Sequence, residues 1–440
     1  MQKKNLKIAI IGSGISGLAA AHALHGSADI TLFEAGSYFG GHTNTVDITL
    51  PTPKGLVTHG VDTGFLVFNE RTYPHLIQLF ADLGVETAKS DMSFSVQVPQ
   101  KNGAFNRGLE WSGSNLNTVF AQRSNLVSPR FWRMLRDLMR FNKLATSIAE
   151  TGKDDQLMQP LADFLETHQF STEFRDWYLL PMLGCIWSCP TEQMLQFPVA
   201  TMIRFCHNHG LLQVDDRPQW WTVAGGAKNY VEKIIAPISD KRLNTPVHCI
   251  ARDSQGVHIV INSGTERFDK VIIATHSDQA LDMLQHPNHS EKQALSAINY
   301  QANTAILHTD ASVLPKRKAA WAAWNYERVQ SHPEQSENVN KSASVCLHYL
   351  INKLQPIPFE QPVAVSLNPT KPIAPQHVLA SFDYAHPVFD LAAIKAQAEI
   401  PALQGQQNTY FCGAWTGYGF HEDGLKSGTT AAKQLLADTQ

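Results

Sequence analysis

Short apolar runs that end at glycine alternate along this chain with stretches whose apolar positions recur every three or four residues. The N-terminus shows both patterns. Lys7-Ile8-Ala9-Ile10-Ile11 is apolar over four successive positions, as expected of a parallel strand covered on both faces, and it stops at Gly12. Ile15 to Leu24 continues as a helix, with Ala19, Ala20, Ala21 and Ala23 keeping its packing face slim and Gly17 admitting close contact with the strand. A second strand, Asp29 to Phe33, ends at Glu34, about 20 residues beyond the glycine loop.

Strand, loop, helix, strand and terminal acid together predict a dinucleotide site. Gly12 makes the turn, and Gly14 leaves room for a pyrophosphate against the amides that open the helix at Ile15 and Ser16. Glu34, followed by Ala35, accepts hydrogen bonds from ribose hydroxyls and repels a 2'-phosphate. Downstream, Gly60 to Phe68 is an apolar segment expected to return toward the nucleotide domain. Glu70 to Leu83 carries Leu76, Ile77, Leu79, Phe80 and Leu83 at helical spacing, and this segment is expected to border the active site.

Ser128-Pro129 opens a further predicted helix. Phe131, Leu135, Leu138, Met139 and Asn142 are placed on one face, and Arg130, Arg133, Arg136, Arg140 and Lys143 supply positive charge. Peripheral contact of residues 128–143 with an anionic bilayer is one reading. The plainer reading, a helix packed on its own domain with a solvated basic side, is preferred. Trp111, Phe131, Trp132, Phe164, Phe170, Trp177, Tyr178 and Trp187 make the region aromatic, which suits a core or the lining of a passage for an apolar substrate.

Composition narrows the class. At 440 residues, two packed domains are expected. With 43% hydrophobic and 17% charged residues the chain is globular, and a net charge of -3 gives no basis for binding nucleic acid. No stretch of about 18 consecutive apolar residues occurs, so no spanning helix is expected. Met1 to Lys7 leads straight into the first strand without an apolar signal segment, and the expected location is the cytoplasm, with membrane association as the alternative. Six scattered cysteines fit reduced, buried thiols. Cys185 and Cys189 with His207 and His209 fit no common zinc spacing, so no metal is expected.

After Glu34 the chain reads Ala35-Gly36-Ser37-Tyr38-Phe39-Gly40-Gly41-His42-Thr43. Later come Pro246-Val247, then Phe268 to His276, then Asn408 to Trp415 and Glu422 to Gly428. In this order the blocks resemble the flavin-containing amine oxidase superfamily, which includes monoamine oxidases, protoporphyrinogen oxidases and carotenoid desaturases. The resemblance implies FAD. It places Gly40, Gly41, His42 and Thr43 at the diphosphate and flavin, with His42 where a basic residue is usual, and the Val247 backbone at the adenine. Ala274, Thr275, Gly413, Trp415 and Asp423 are implied as further contacts, and the Gly424 and Leu425 amides are expected at the flavin pyrimidine oxygens. The implied fold class is α/β, a Rossmann-like FAD-binding domain of the GR2 type interleaved with an α+β substrate domain of mixed sheet plus helices. Residues 1–70, 215–285 and 405–440 are assigned to the first and 71–214 and 286–404 to the second.

A flavin ring accepts the hydride at N5, so few protein acids are needed. No second G-x-G-x-x-G occurs, since Ala224-Gly225-Gly226-Ala227 lacks the spacing, and electrons are expected to leave for oxygen or a quinone. His42 is the candidate for orientation or proton transfer, with Tyr418, Phe420 and His421 as pocket wall. The family's flavin-ligating cysteine motif is not found, so FAD is expected to be non-covalent, with His42 or Cys412 as alternative attachment points. Three readings of a small-molecule site stand: oxidation of a carbon–nitrogen bond, chemistry at a carbon–carbon bond of a fatty-acyl or isoprenoid lipid, and a non-catalytic FAD-binding module.

Overall fold

Five strands from widely separated parts of the chain make one parallel sheet, in the order Asp240–Arg242, Asp29–Phe33, Lys7–Ile11, Lys270–Ile273, Thr409–Phe411. The computed structural model describes residues 6–99, 108–151, 159–213, 217–328 and 345–439; residues 1–5, the expected domain boundary at 214/215 and residue 440 lie outside them. Lys7–Ile11 is central in the sheet, and Ile8, Ala9 and Ile10 are fully buried, which is why its run is apolar without alternation.

Helices Ile15–Leu24 and His421–Ala437 pack together on one face. Glycine permits that contact: a Cβ at Gly428 would stand 2.0 Å from the Ser16 carbonyl oxygen, and one at Gly424 would stand 2.6 Å from Ile15 Cγ2. On the other side a second apolar cluster joins Ile11, Phe33 and Ile273 to Ile250, Val257 and Ile259 of an antiparallel sheet formed by Val247–Asp253, Gly256–Ile261 and Gly264–Phe268.

A seven-stranded mixed sheet forms the rest of the architecture, in the order Val378–Val388, Asn299–His308, Ala364–Leu367, Cys346–Leu350, Trp324–Glu327, Phe94–Val98, Leu109–Ser112. Its pairs are antiparallel except that between Trp324–Glu327 and Phe94–Val98. Helix Leu180–Trp187 packs on the strand Trp324–Glu327, and helix Pro129–Thr151 packs on Val199–Asn208.

Gly55–Asp62 pairs with Thr45–Thr52 as a hairpin, and the chain from Thr63 onward returns to the nucleotide end as expected, Phe65 N donating to the His42 carbonyl at 2.8 Å. The Asp62 carboxylate accepts hydrogen bonds from Thr45 Oγ1 at 2.5 Å, Ala227 N at 2.9 Å and Gln355 Nε2 at 2.6 Å, joining three distant segments. In Pro129–Thr151 the buried face is Phe131, Met134, Asp137, Phe141, Asn142 and Ala145, whereas Leu135 and Leu138 are half-buried and Met139 is 56% exposed. Asp137 tolerates burial because its Oδ2 accepts the Ser171 N–H at 3.0 Å, beside Arg136 and Arg140.

Candidate functional site

Where Lys7–Ile11 ends, Gly12 takes φ +96°, and a Cβ there would meet the Ala274 carbonyl oxygen at 2.9 Å. Gly17 has no room for a side chain either, since its Cβ would lie 1.9 Å from the Gly12 oxygen. Gly14 is different. It has φ -62° and no protein atom within 4 Å of a Cβ, so open space stands in front of the helix N-terminus. Gly41, at φ +58°, brings its backbone against Gly14, where a Cβ would sit 3.1 Å from the Gly14 Cα. The result is a glycine-lined opening over unpaired helix amides, which fits a diphosphate.

This opening is one end of a cavity of about 1110 Å³. Single-ligand pockets are usually roughly 300–1,000 Å³, so the volume suits a dinucleotide together with a second molecule. Of the expected cofactor contacts, Gly12, Gly14, Ile15, Ser16, Glu34, Ala35, Gly40, Gly41, His42, Val247, Ala274, Thr275, Gly413 and Trp415 line it together. Gly17, Thr43, Asp423, Gly424 and Leu425 stand behind the wall, outside the lining set. Glu34 lies at the strand end with Oε2 accepting from Ser13 N at 3.0 Å and Oε1 from Gly36 N at 2.8 Å.

The Gly424 amide donates to the Phe420 carbonyl at 3.0 Å, inside the first helical turn. The amides that the helix opening leaves without an intrahelical partner are therefore those of His421 to Asp423, one turn earlier than expected for the flavin pyrimidine. Asp423 fixes that turn, its Oδ2 accepting from Tyr418 N at 3.1 Å and Phe420 N at 3.0 Å, and burial pushes its carboxyl up to about 6.

His42 is half-buried, its buried Nε2 has no hydrogen-bond partner, and its ring stacks on Tyr384 at 4.8 Å and tilts against His386 at 5.2 Å. Burial first, and His276 nearby second, hold it down at about 4, so it is neutral at physiological pH. His386 and His276 are likewise held neutral by burial, at about 3 and about 4. His421 stacks on Phe65 at 3.8 Å, and its Nε2 lies 2.5 Å from the Tyr230 hydroxyl, which also bonds Thr43 Oγ1 at 2.5 Å. Tyr418 packs against Phe205, 6.1 Å between rings, and is outside the lining set, while Phe420 and His421 are within it. Cys412 is fully buried and does not line the cavity.

Tyr384, His386 and Phe65 join the site without a signal of their own in the sequence. Tyr384 and His386 lie two apart on the strand Val378–Val388, a period-two signal too short to stand out in a long strand. Among the described residues, Glu327, Cys346 and His348 are the one group of metal-ligating type gathered within reach of a single ion, remote from Cys185 and Cys189 in sequence.

Beyond the flavin end the cavity is bounded by Met92, Phe94, Trp111, Leu135, Tyr178 and Met182. Among the described residues its lining carboxylates, Glu34 and Asp282, belong to the segments that carry the dinucleotide elements.

The chain superposes on cyclohexylamine oxidase from Brevibacterium oxydans IH-35A with a TM-score of 0.68 at 17% identity over 99% of both chains. It superposes on a CLA-producing fatty acid isomerase from P. acnes with a TM-score of 0.65 at 17% identity, again over 99% of both. For putrescine oxidase bound to putrescine the values are 0.64 and 14%, over 98% of this chain and 99% of that one. At these identities the likeness shows a common fold. No curated protein matches the sequence. Residues 15–436 match the model of the flavin containing amine oxidoreductases, and with nearly the whole chain covered the protein belongs to that family of FAD-dependent oxidoreductases.

Proposed function

We propose that this oxidoreductase acts at a carbon–carbon bond of a long apolar substrate, a fatty-acyl or isoprenoid lipid, with FAD held non-covalently. The observation that carries the reading is the far half of the cavity, a mainly aliphatic and aromatic passage in which no carboxylate among the described residues stands to pair with a substrate ammonium. When bound, FAD supplies a hydride acceptor at N5, later reoxidised by oxygen or a quinone.

The chain's own groups position and exclude. Phe65, Phe420 and Tyr178 restrict the substrate laterally and keep water from the reacting end. His42 offers a neutral imidazole with a free Nε2 in the wall, suited to orienting a polar group or moving a proton. A fatty acid isomerase among the structural neighbours supports lipid chemistry on this fold; the amine oxidases among them make amine oxidation the competing outcome.

Anaerobic stopped-flow spectroscopy of the flavin-loaded protein separates the two. Unsaturated long-chain fatty acids and isoprenoids are expected to bleach or shift the flavin bands, and mono- and diamines to leave them unchanged. Bleaching by amines alone would transfer the reading to carbon–nitrogen oxidation. An unchanged spectrum with every substrate, FAD remaining bound, would favour a binding module.

A further inference from the structure

The end of the cavity remote from the glycine loop opens onto a surface that flavin binding does not explain. Among the described residues, most of the exposed large apolar side chains lie between positions 116 and 139: Leu116 is 78% exposed, Val127 83%, and Leu126, Trp132 and Met139 about half. They come from three successive elements, Leu116–Val119, Arg123–Val127 and the first half of Pro129–Thr151. Leu116, Trp132 and Met139 also line the cavity, so the patch is its rim.

Trp132 is prepared for an apolar medium. Its indole N–H, the side chain's single polar group, donates to the Leu126 carbonyl at 2.9 Å, so insertion leaves no unsatisfied donor. The elements that carry the rim also hold Arg123, Arg130, Arg133, Arg136, Arg140 and Lys143, with Asp137 the one acid between Trp111 and Lys143 in sequence. Asp137 is turned inward onto Ser171, and Glu173 engages Arg130 and Arg133. The same elements therefore carry an excess of cationic groups beside the apolar tips, the complement of anionic headgroups over acyl chains.

We infer that this rim docks on an anionic phospholipid bilayer, with Leu126, Val127, Trp132 and Met139 at the headgroup–acyl boundary. An apolar substrate then passes from the lipid into the cavity without crossing water. The inference rests on the apolar-substrate reading of the same cavity. Neither Leu126 nor Val127 lines the cavity, so both can be changed without touching it.

The test is co-sedimentation of the flavin-loaded protein with vesicles of phosphatidylcholine alone or mixed with phosphatidylglycerol. Binding is expected on the mixed vesicles, weakening with salt, and the double variant Leu126→Glu/Val127→Glu is expected to lower it at least tenfold while keeping the flavin spectrum and melting temperature. Absence of binding at low salt overturns the proposal, as does binding that the double variant leaves intact. A dimer in light scattering that the same variant dissociates would make a second copy the occupant and overturn it as well. If dispersed unsaturated fatty acids perturb the flavin but vesicles do not bind, docking fails and the substrate reading stands. If vesicles bind through this rim but no lipid perturbs the flavin, the docking surface is real and the substrate reading fails.

Discussion

Three glycines in one loop carry different constraints, and single methyl groups separate them. A Cβ at Gly14 meets no protein atom, but it would occupy the space in front of the helix amides. Gly14→Ala is expected to leave the melting temperature of the cofactor-free protein within a degree or two and to weaken FAD binding roughly tenfold or more, about 1.4 kcal/mol, in a flavin-fluorescence titration. Gly17→Ala places a methyl 1.9 Å from the Gly12 oxygen, so it should destabilise the fold itself, by about 1–3 kcal/mol, in chemical denaturation. Equal losses of stability in both variants would contradict this division. The loop was legible in the sequence because glycine is needed at positive φ or at close approach, and the helix begins three residues later. The environment of His42 was not legible. Tyr384 and His386 reach it from a strand more than three hundred residues later, and no local period announces that stacking.

At the level of elements, the C-terminal helix reaches beyond the nucleotide sheet. Glu422 in its first turn accepts from His75 N at 2.8 Å and Leu76 N at 3.0 Å, which caps the helix Pro74–Leu83 from another part of the chain. Glu422→Ala should cost about 1 kcal/mol of stability, measured by urea denaturation, and Glu422→Gln about half of that. No change in either variant would show that the cap is idle. The helix Ile15–Leu24 and the strands Lys7–Ile11 and Asp29–Phe33 fall where the apolar pattern placed them, since local periodicity decides elements that are buried on all sides. Along Pro129–Thr151 the expected apolar face supplies Leu135, Leu138, Met139 and Asn142 to the cavity wall, while the fully buried face also takes in Met134 and Asp137. Asp137 turns inward through its bond to Ser171, a partner that no helical period reveals, and Trp132 turns outward.

For the whole molecule, buried imidazoles set the response to acid. His42, His209, His276 and His308 are held at about 4, and His386 and His421 at about 3, by burial first in each case. In the unfolded chain each titrates near 6.5, so between roughly pH 6.5 and 4 the unfolded chain binds the protons and stability falls as pH drops. For His42 the difference amounts to roughly 3 kcal/mol once pH reaches the folded value. Asp62 and Asp423, raised to about 6 by burial, work in the opposite direction: their contribution is present at low pH and is lost as pH rises through 6. Among the described residues six such imidazoles outweigh two such carboxyls. The melting temperature is therefore expected to fall between pH 7 and pH 5, with net proton uptake on unfolding measured by calorimetry in buffers of different ionisation enthalpy. A higher melting temperature at pH 5 would mean that the carboxyls dominate.

The order of the parallel sheet bears on how the chain is made. Ile8 leaves the ribosome long before Lys270, one of its two neighbours, and that strand in turn waits for Thr409–Phe411. The helix that closes over Ser16, His421–Ala437, is synthesised later than either of these strands. The emerging chain thus carries its diphosphate loop long before the loop has a complete sheet to stand on, and cofactor loading waits until Thr409–Phe411 and His421–Ala437 have emerged. In the interval the unfinished apolar strands are the stretch of this protein most in need of a chaperone.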